Sequence, residues 1–548
     1  MRETGASIVQ MAQEACARHG DAGAFLCLGA RLGFRELDSL SNAFAHWLVQ
    51  QGLQPGERVA IQLPNLLQYP VVALGVLKAG LVIVNVNPLY TAPELEHQLR
   101  DAGAKVLVVS ANTAHIAARV VPRTAVQCVV VTEQGDLHPV PQRLLLNFIG
   151  RRVRKQVQRY RFPVQVTLHT TLQLGRQGAQ VTPDALVARA PGPDALAVLQ
   201  YTGGTTGHAK GAMLSHRNLL ANVQQLAAAL GVHRPHSGAV MVAPLPLYHV
   251  YAFTSNFLCG LAWGQQVLLI PNPRDIGGFV QTLRRHRCNS FIGINTLYKA
   301  LCDHPDFCRL DFSGLILSSS GGMALAPEVA ARWLELTGCR ILEGYGLSEC
   351  SPLVACQRFD ACRSGTVGLP APDTELVLKA PDGQVVGPGA AGEVCVRGPQ
   401  VMQGYWQQPQ ETAAAFDADG YLHSGDIGIF DPDGQLRIVE RIKDMIIISG
   451  FNVYPNEIEE HVCTHPDILE AAVIGTGDDY ATCIKVFVVT KNPVLGANDV
   501  LAWCREGLAP YKVPKQVEFR STLPRSSVGK VLRRELRTPP AGEGVASA

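Results

Sequence analysis

The chain has 548 residues, 47% hydrophobic and 17% charged, a composition that excludes a chain disordered as a whole and a length too great for one core. With 48 basic against 46 acidic residues the formal charge is +2, which argues against nucleic acid as the main partner. None of the fifteen cysteines forms a C-x-x-C pair, and separations such as Cys302 to Cys308 fit no zinc pattern, so reduced, mostly buried thiols of a cytoplasmic protein are expected. The N-terminus lacks a basic stretch followed by a long apolar one, so no signal peptide is expected. No apolar run reaches the ~18–20 residues needed to span a bilayer.

In chain order, apolar runs alternate with amphipathic stretches from about residue 37 to 131. Arg58 to Leu63, Leu81 to Asn85, Lys105 to Val109 and Val126 to Val131 read as buried strands, with helices at 69–79 and 92–101. Such alternation predicts a covered, mainly parallel sheet. Residues 143–162 stand apart. Arg143, Arg151, Arg152, Arg154, Lys155, Arg159 and Arg161 interleave with Leu144, Leu145, Phe148, Ile149, Val153 and Val157. This reads as a basic amphipathic helix, and two uses stay open: a helix lying on an anionic leaflet, or a solvated helix packed on the body.

The stretch from Val198 to Asn222 organises the chemistry. An apolar run, Leu196 to Leu199, reads as a buried strand, and Ser215 as the N-cap of a helix. Between them stand Thr202, Gly203, Gly204, Thr205, Thr206, Gly207 and Lys210. Glycines let backbone N–H groups converge, threonines add hydroxyl donors and the lysine adds a point charge, which together make a phosphate cradle. It is not a P-loop, because Ala209 precedes Lys210 and Gly211 follows it. A second α/β unit follows, with strands near 239–243, 266–270, 290–293 and 315–319 and helices near 216–229, 275–287, 296–303 and 326–337. After 360 the texture changes to short strands and turns, including a hairpin over 427–439 that turns at Asp431 to Gly434. Residues 445–538 read as an α+β unit: strand 445–448, helix 455–463, strands 470–474 and 484–490, helix 497–508. The tail after about 538 reads as disordered.

Six segments carry a family resemblance. The Thr202 to Lys210 loop, Glu343-Gly-Tyr-Gly-Leu-Ser-Glu-Cys350, Tyr421-Leu-His-Ser-Gly-Asp426, Glu440-Arg-Ile-Lys-Asp444, Ser449-Gly-Phe-Asn-Val-Tyr-Pro-Asn-Glu457 and Arg525-Ser-Ser-Val-Gly-Lys530 resemble, in order, the motifs of adenylate-forming enzymes. Leu63 to Pro70, Val84 to Tyr90 and Tyr511 to Pro514 are similar to bacterial long-chain fatty acid–CoA ligases, and the likeness runs from about 35 to 538. It implies an α/β fold: a large N-terminal domain of two α/β subdomains plus a small β subdomain (1–440), then a small mobile α+β cap (441–548). It also implies ATP-dependent activation of a fatty acid to acyl-AMP with Mg²⁺, followed by transfer to the thiol of coenzyme A.

Residue by residue, the resemblance assigns Thr202, Gly203, Gly204, Thr205, Thr206, Gly207 and Lys210 to the ATP phosphates. Gly321, Gly322, Gly344, Tyr345, Gly346 and Ser348 fall to the nucleotide, and Glu349 with Thr205 to the metal. Tyr248, His249 and Gly321 fall to the acyl pocket, with His249 where carboxylate meets nucleotide. Asp426 is implied to grip the ribose hydroxyls, Arg441 the ribose or phosphate, and Lys530 the carboxylate and α-phosphate. Lys443 takes the hinge position, and Ser449, Gly450 and Phe451 the coenzyme A side. Thr482-Cys483 stand where relatives carry Gly-Glu, a change that bears on the coenzyme A step or domain closure. The other readings are a fatty acyl-AMP ligase, a medium-chain or aryl carboxylate–CoA ligase, and a weakly active nucleotide- or lipid-binding homologue. A homodimer and peripheral contact with the inner face of the cytoplasmic membrane through 143–162 stay open.

Overall fold

The computed structural model describes residues 7–181, 183–202, 209–448, 451–476, 483–526 and 531–537. The chain divides into two compact units, one of residues 1–375 with 396–422, the other of 376–395 with 423–548.

The first unit is built on two sheets. Seven strands lie in the spatial order Gln165–Thr167, Cys128–Thr132, Val106–Ser110, Arg58–Gln62, Val82–Asn85, Leu196–Thr202 and Lys210–Ser215, parallel except for the last, which pairs antiparallel with its neighbour. Nine strands form the other sheet, whose centre is parallel: Ile341–Gly346, Leu317–Gly321, Ser290–Gly293, Val240–Ala243, Gln266–Leu269 and Gly23–Cys27. Leu353–Cys356 with Leu369–Pro370 and, on the opposite side, Ala30–Gly33 finish its two edges antiparallel. The predicted strands are found within about two residues, as expected where continuous Val/Ile/Leu runs mark strands covered on both faces. The sequence reading passed over the helices Ile8–His19 and Phe34–Gln50 and the strand Lys210–Ser215. The helix expected over 275–287 covers only Ile276–Leu283.

The helix Gln68–Lys78 is buried at every residue, the mark of a helix enclosed by protein on all sides. Its Gln68 Nε2 donates to the Glu133 carbonyl (2.7 Å), and the Tyr69 hydroxyl lies 2.6 Å from Asn85 Oδ1 and 2.9 Å from the Leu247 carbonyl. Just before it, Asn65 Nδ2 donates to the Ala243 and Leu245 carbonyls (3.0 and 2.8 Å), and its Oδ1 accepts from Leu247 N–H (2.9 Å). These buried amides fix the ends of strands from both sheets relative to each other. Under the nine-stranded sheet, fully buried Trp333 gathers Tyr298, Phe291 and Phe307 at centroid distances of 4.6, 5.3 and 5.4 Å. Its indole N–H is satisfied by Ser318 Oγ at 3.1 Å.

The basic segment departs from expectation. A helix runs over Val140–Phe148, passes through a wide π turn at Ile149–Val153, and ends. Lys155 takes a left-handed φ of 50°, and Val157, Tyr160 and buried Phe162 turn inward onto the core of the seven-stranded sheet. Burying those three side chains outweighs continuing a helix with few apolar contacts, so Arg159 and Arg161 are not part of it.

In the second unit, Glu375–Lys379, Ala391–Arg397, Leu422–Phe430 and Leu436–Arg441 form a four-stranded sheet. Ile468–Thr476, Cys483–Thr490 and Gln516–Phe519 form a three-stranded sheet packed by the helices Pro455–Cys463 and Ala497–Gly507 around Val473, Val486, Val488, Ile458 and Val500. Arg533 ties this unit together: its guanidinium reaches Glu459 (2.9 Å), Glu440 (3.3 Å), Asp444 (3.4 Å) and Asn456 Oδ1 (2.7 Å). Glu440 is itself buried and also accepts from the Asn456 N–H at 2.8 Å. The tail after 538 lies outside the described residues. No described helix is long and apolar enough to cross a membrane.

The helices Phe34–Gln50 and Leu168–Val181 meet backbone to backbone, because a Cβ on Gly175 would stand 1.7 Å from the Ala43 carbonyl oxygen. Gly175→Ala is therefore expected to lower stability by about 1–3 kcal/mol, read as the urea midpoint of the first unfolding transition. Gly150→Ala, where a Cβ meets nothing within 4 Å, serves as the control and should change it by less than about 0.5 kcal/mol.

Candidate functional site

Thr202 ends the strand Leu196–Thr202, and Lys210 opens the antiparallel strand that follows, directly opposite it in register. Gly203, Gly204, Thr205, Thr206 and Gly207 lie outside the described residues, as do Ser449, Gly450, Thr482 and Lys530. Ser215 N-caps the helix His216–Leu230 as expected, accepting from Asn218 N–H at 3.1 Å.

A third segment completes the group. Residues 403–406 run along the strand Lys210–Ser215: Met213 N–H donates to Gly404 (2.9 Å), Gln403 N–H to Met213 (2.9 Å) and Trp406 N–H to Gly211 (2.8 Å). This carries the Tyr405 ring beside Lys210, whose Nζ stands 5.4 Å from the ring centroid. Lys210 is only 13% exposed and is ion-paired with Glu411. The Tyr405 hydroxyl donates to Glu349 Oε1 at 2.9 Å. Burial, reinforced by the Glu349 and Glu411 charges, pushes the Tyr405 phenol far above its ordinary range, so it remains a donor. Tyr405 and Glu411 belong to no motif read from the sequence. The only signal was an aromatic residue beside Gly404, too common to single out.

Glu349 and Ser348 occupy a 3-10 turn, Ser348–Cys350, right after the strand Ile341–Gly346. The Glu349 carbonyl accepts from Met402 N–H at 2.7 Å, which fixes the turn to the same 400s segment. A carboxylate steadied through one oxygen suits Mg²⁺, which takes one or two protein oxygens and fills the rest with phosphate and water. Two glycine motifs meet across the sheet, since Gly321 pairs with Gly344. A Cβ on Gly321 would stand 3.1 Å from the Gly344 carbonyl and 3.3 Å from the Tyr251 ring, so the floor here is bare backbone. Gly322 follows at φ 80°. Tyr345 and Gly346 continue the strand, and a Cβ on Gly346 would strike the Pro352 carbonyl at 2.1 Å. Glu343, at the base of this strand, has its carboxyl pushed up to about 7 by burial.

Tyr248 and His249 follow the strand Val240–Ala243, held from the other sheet. Gln200 Nε2 donates to the Tyr248 carbonyl at 3.2 Å. His249 Nδ1 accepts from Tyr251 N–H (3.3 Å), which leaves Nε2 as the donor of the neutral ring. Tyr251 itself approaches Ser319 Oγ at 3.4 Å and borders Gly321. Tyr248, His249 and Gly321, which the resemblance assigns to the acyl pocket, and Gly344 to Gly346, which it assigns to the nucleotide, therefore gather at the C-terminal ends of parallel strands, the ordinary place for ligands in open α/β sheets.

In the second unit, Asp426 and Arg441 are cross-strand partners, with Arg441 Nε 3.0 Å from Asp426 Oδ1. Asp426 is buried, so its carboxylate is fixed in direction. Lys443 sits in the 3-10 turn Ile442–Asp444 immediately after Arg441, and burial, helped by Arg441, lowers its pKa. Phe451 opens the strand Phe451–Val453. Cys483 begins a strand, with Sγ 3.1 Å from Thr476 Oγ1. All fifteen cysteines are free thiols, nine of them buried.

Comparison with known proteins agrees with this fold. Residues 12–406 match the AMP-binding enzyme family and residues 457–530 its C-terminal domain. The chain is 48% identical over 540 residues to the long-chain-fatty-acid–CoA ligase of Escherichia coli O157:H7, covering 98% of this chain and 95% of that one. Against the ligase of the same name from Salmonella typhimurium it is 47% identical, with the same coverage. Among solved structures, ATP-bound MatB from Rhodopseudomonas palustris matches with a TM-score of 0.80 at 28% identity, covering 96% of this chain and 98% of that one. Two sheets with a strand-to-strand glycine cradle, a separate small C-terminal unit and a family match over most of the length lead to one conclusion: the chain belongs to the AMP-binding family of adenylate-forming enzymes.

Proposed function

We infer that this chain is a long-chain fatty acid–CoA ligase that activates a fatty acid with ATP, releases pyrophosphate, and transfers the acyl group to coenzyme A with release of AMP. The observation that carries the reading is the 48% identity to such a ligase over 98% of this chain, which spans adenylating and C-terminal segments alike.

A carboxylate is a poor acyl donor because its leaving group would be oxide. Joining it to the α-phosphate makes a mixed anhydride from which AMP leaves readily. Two anions must then be held within attack distance while charge spreads at phosphorus. Lys210 and the Thr202 to Gly207 loop take the leaving pyrophosphate, and Lys210 exchanges Glu411 for phosphate when ATP binds. Glu349, oriented by Tyr405, holds Mg²⁺ with Thr205. Magnesium, when bound, neutralises phosphate charge. Tyr345 lies against the adenine between Gly344 and Gly346, with Ser348 toward phosphate and Gly321 and Gly322 lining the floor. Asp426 grips the ribose, Arg441 orients the ribose or phosphate, and His249 with Tyr248 borders the carboxylate. Lys530 neutralises the α-phosphate during adenylation. Thioester formation has no use for that lysine, and a hinge at Lys443, dividing 1–440 from 441–548, exchanges it for Ser449, Gly450 and Phe451.

The reading is tested by following AMP and acyl-CoA over fatty acids from short to long, with and without coenzyme A. Long chains should give both products. Lys530→Ala should slow adenylation by about 10²–10³-fold while still binding ATP. Acyl-AMP accumulating in the presence of coenzyme A would instead favour a fatty acyl-AMP ligase, disabled in the thioester step by Thr482-Cys483.

We further propose that the enzyme meets its substrate at the inner face of the cytoplasmic membrane through the helix Val140–Phe148 and the turn after it. No residue of that helix is buried, and Leu144, Leu145, Phe148 and Val153 stand 58–65% exposed beside Arg143, Arg152 and Arg154. Arg151 is turned away, paired with Glu133 at 2.8 Å. Apolar side chains sunk among headgroups with arginines on the phosphates suit an anionic leaflet. Co-sedimentation should show preference for phosphatidylglycerol vesicles over phosphatidylcholine. Leu144→Glu with Phe148→Glu should weaken it at least about tenfold while leaving turnover of a water-soluble acid intact. Equal binding by the double variant would refute the contact.

A further inference from the structure

The strands Ala391–Arg397 and Leu422–Phe430 bring together three side chains that the proposed reaction does not use. His423 Nδ1 lies 2.7 Å from Glu393 Oε2 and 3.6 Å from Cys395 Sγ, and one ligand atom from each of the three falls within 4.8 Å of the others. Among the described residues this is the one cluster of three His, Cys, Asp or Glu side chains with such spacing. Cys395 is fully buried between the strands, whereas the His423 and Glu393 side chains are 31% and 21% exposed. One side of the triangle is therefore sealed and the other open to solvent.

We propose that Glu393, Cys395 and His423 form a binding site for a thiophilic divalent cation of the zinc class. The donor set is one thiolate, one imidazole and one carboxylate, the N/S/O mixture that zinc takes in three-ligand sites whose fourth position holds water. Zinc's bond lengths at the tetrahedral angle separate ligand atoms by about 3.3–3.6 Å. The Cys395 to His423 distance meets that already, and the His423 to Glu393 pair opens by about half an ångström once no proton bridges it. Glu393 Oε1 is steadied by the Gly425 N–H at 2.9 Å, so the carboxylate is oriented by the backbone, as outer partners orient metal ligands. Cations with harder preferences, such as Mg²⁺, are disfavoured by the thiolate.

The charges balance. Cys395 gives up its S–H proton to solvent, His423 moves its ring proton from Nδ1 to Nε2 and binds through Nδ1, and Glu393 binds as carboxylate. A dication with one thiolate and one carboxylate is then neutral, which suits a half-buried place. Binding releases one proton per ion. The site stands independently of the ligase reading, since it involves none of the residues assigned to the reaction.

The test uses the full chain, stripped with chelator and titrated with Co²⁺ under reducing conditions. One equivalent should bind with a thiolate-to-cobalt charge-transfer band, be displaced by Zn²⁺, and release about one proton by calorimetry in buffers of different ionisation enthalpy. Cys395→Ser should abolish the band, and His423→Gln should weaken binding at least about tenfold, both with the wild-type circular dichroism spectrum. Should Cys395→Ser fail to fold, His423→Gln and Glu393→Gln carry the test alone. Absence of saturable binding, or an unchanged band in Cys395→Ser or unchanged affinity in His423→Gln, would overturn the proposal.

Discussion

The pairing of residues 403–406 with the strand Lys210–Ser215 is the interaction on which the candidate site of the first unit depends. Three backbone hydrogen bonds join segments almost two hundred residues apart and stand Tyr405 between a cation and a carboxylate. Without that strand-like addition, Lys210 would meet neither the Tyr405 face nor Glu411, and Glu349 would lose the hydroxyl that directs it. The same segment holds the Glu349 turn through the Met402 N–H. One short piece of irregular chain thus sets the distance between Lys210 and Glu349.

Lys210, Asp426 and Arg533 each have an ion partner. Lys210 is paired with Glu411, Asp426 with Arg441, and Arg533 with Glu440, Asp444 and Glu459. Half-buried charges with one exchangeable partner can trade it for a ligand of the same sign at little cost, whereas Arg533, held by three carboxylates and an amide, cannot. Lys210 and Arg533 therefore read as different devices: the first prepared for an anion, the second a structural rivet beside Lys443. The same rivet takes in Glu440, whose carboxylate reaches Arg533 and the Asn456 N–H together.

Much of this was legible in the sequence, for physical reasons. Buried parallel strands such as Val106–Ser110 are unbroken apolar runs, and the Ser215 cap is a short-range signal. The motif residues Gly321 and Gly344, or Asp426 and Arg441, were named separately, and the fold makes them neighbours across strands. Long-range partners left no trace: nothing local distinguishes Glu411 from any surface carboxylate, or Tyr405 from any aromatic beside a glycine. Helical periodicity also misled over 155–162, where tertiary burial of Tyr160 and Phe162 decided the path. Cysteine spacing likewise searched along the chain, while Glu393, Cys395 and His423 come together only across two strands.

The central claim is that Lys210 is held by Glu411 until phosphate replaces it. Calorimetric MgATP binding to the wild type, Lys210→Gln, Glu411→Gln and the double variant tests it most directly, as a double-mutant cycle. Lys210→Gln should weaken binding at least about tenfold, for loss of a charge-assisted contact. Glu411→Gln should tighten it several-fold, and the double variant should match Lys210→Gln, since Glu411 acts only through the lysine. Equal weakening by Glu411→Gln and Lys210→Gln would contradict the account, because Glu411 would then belong to the nucleotide site itself.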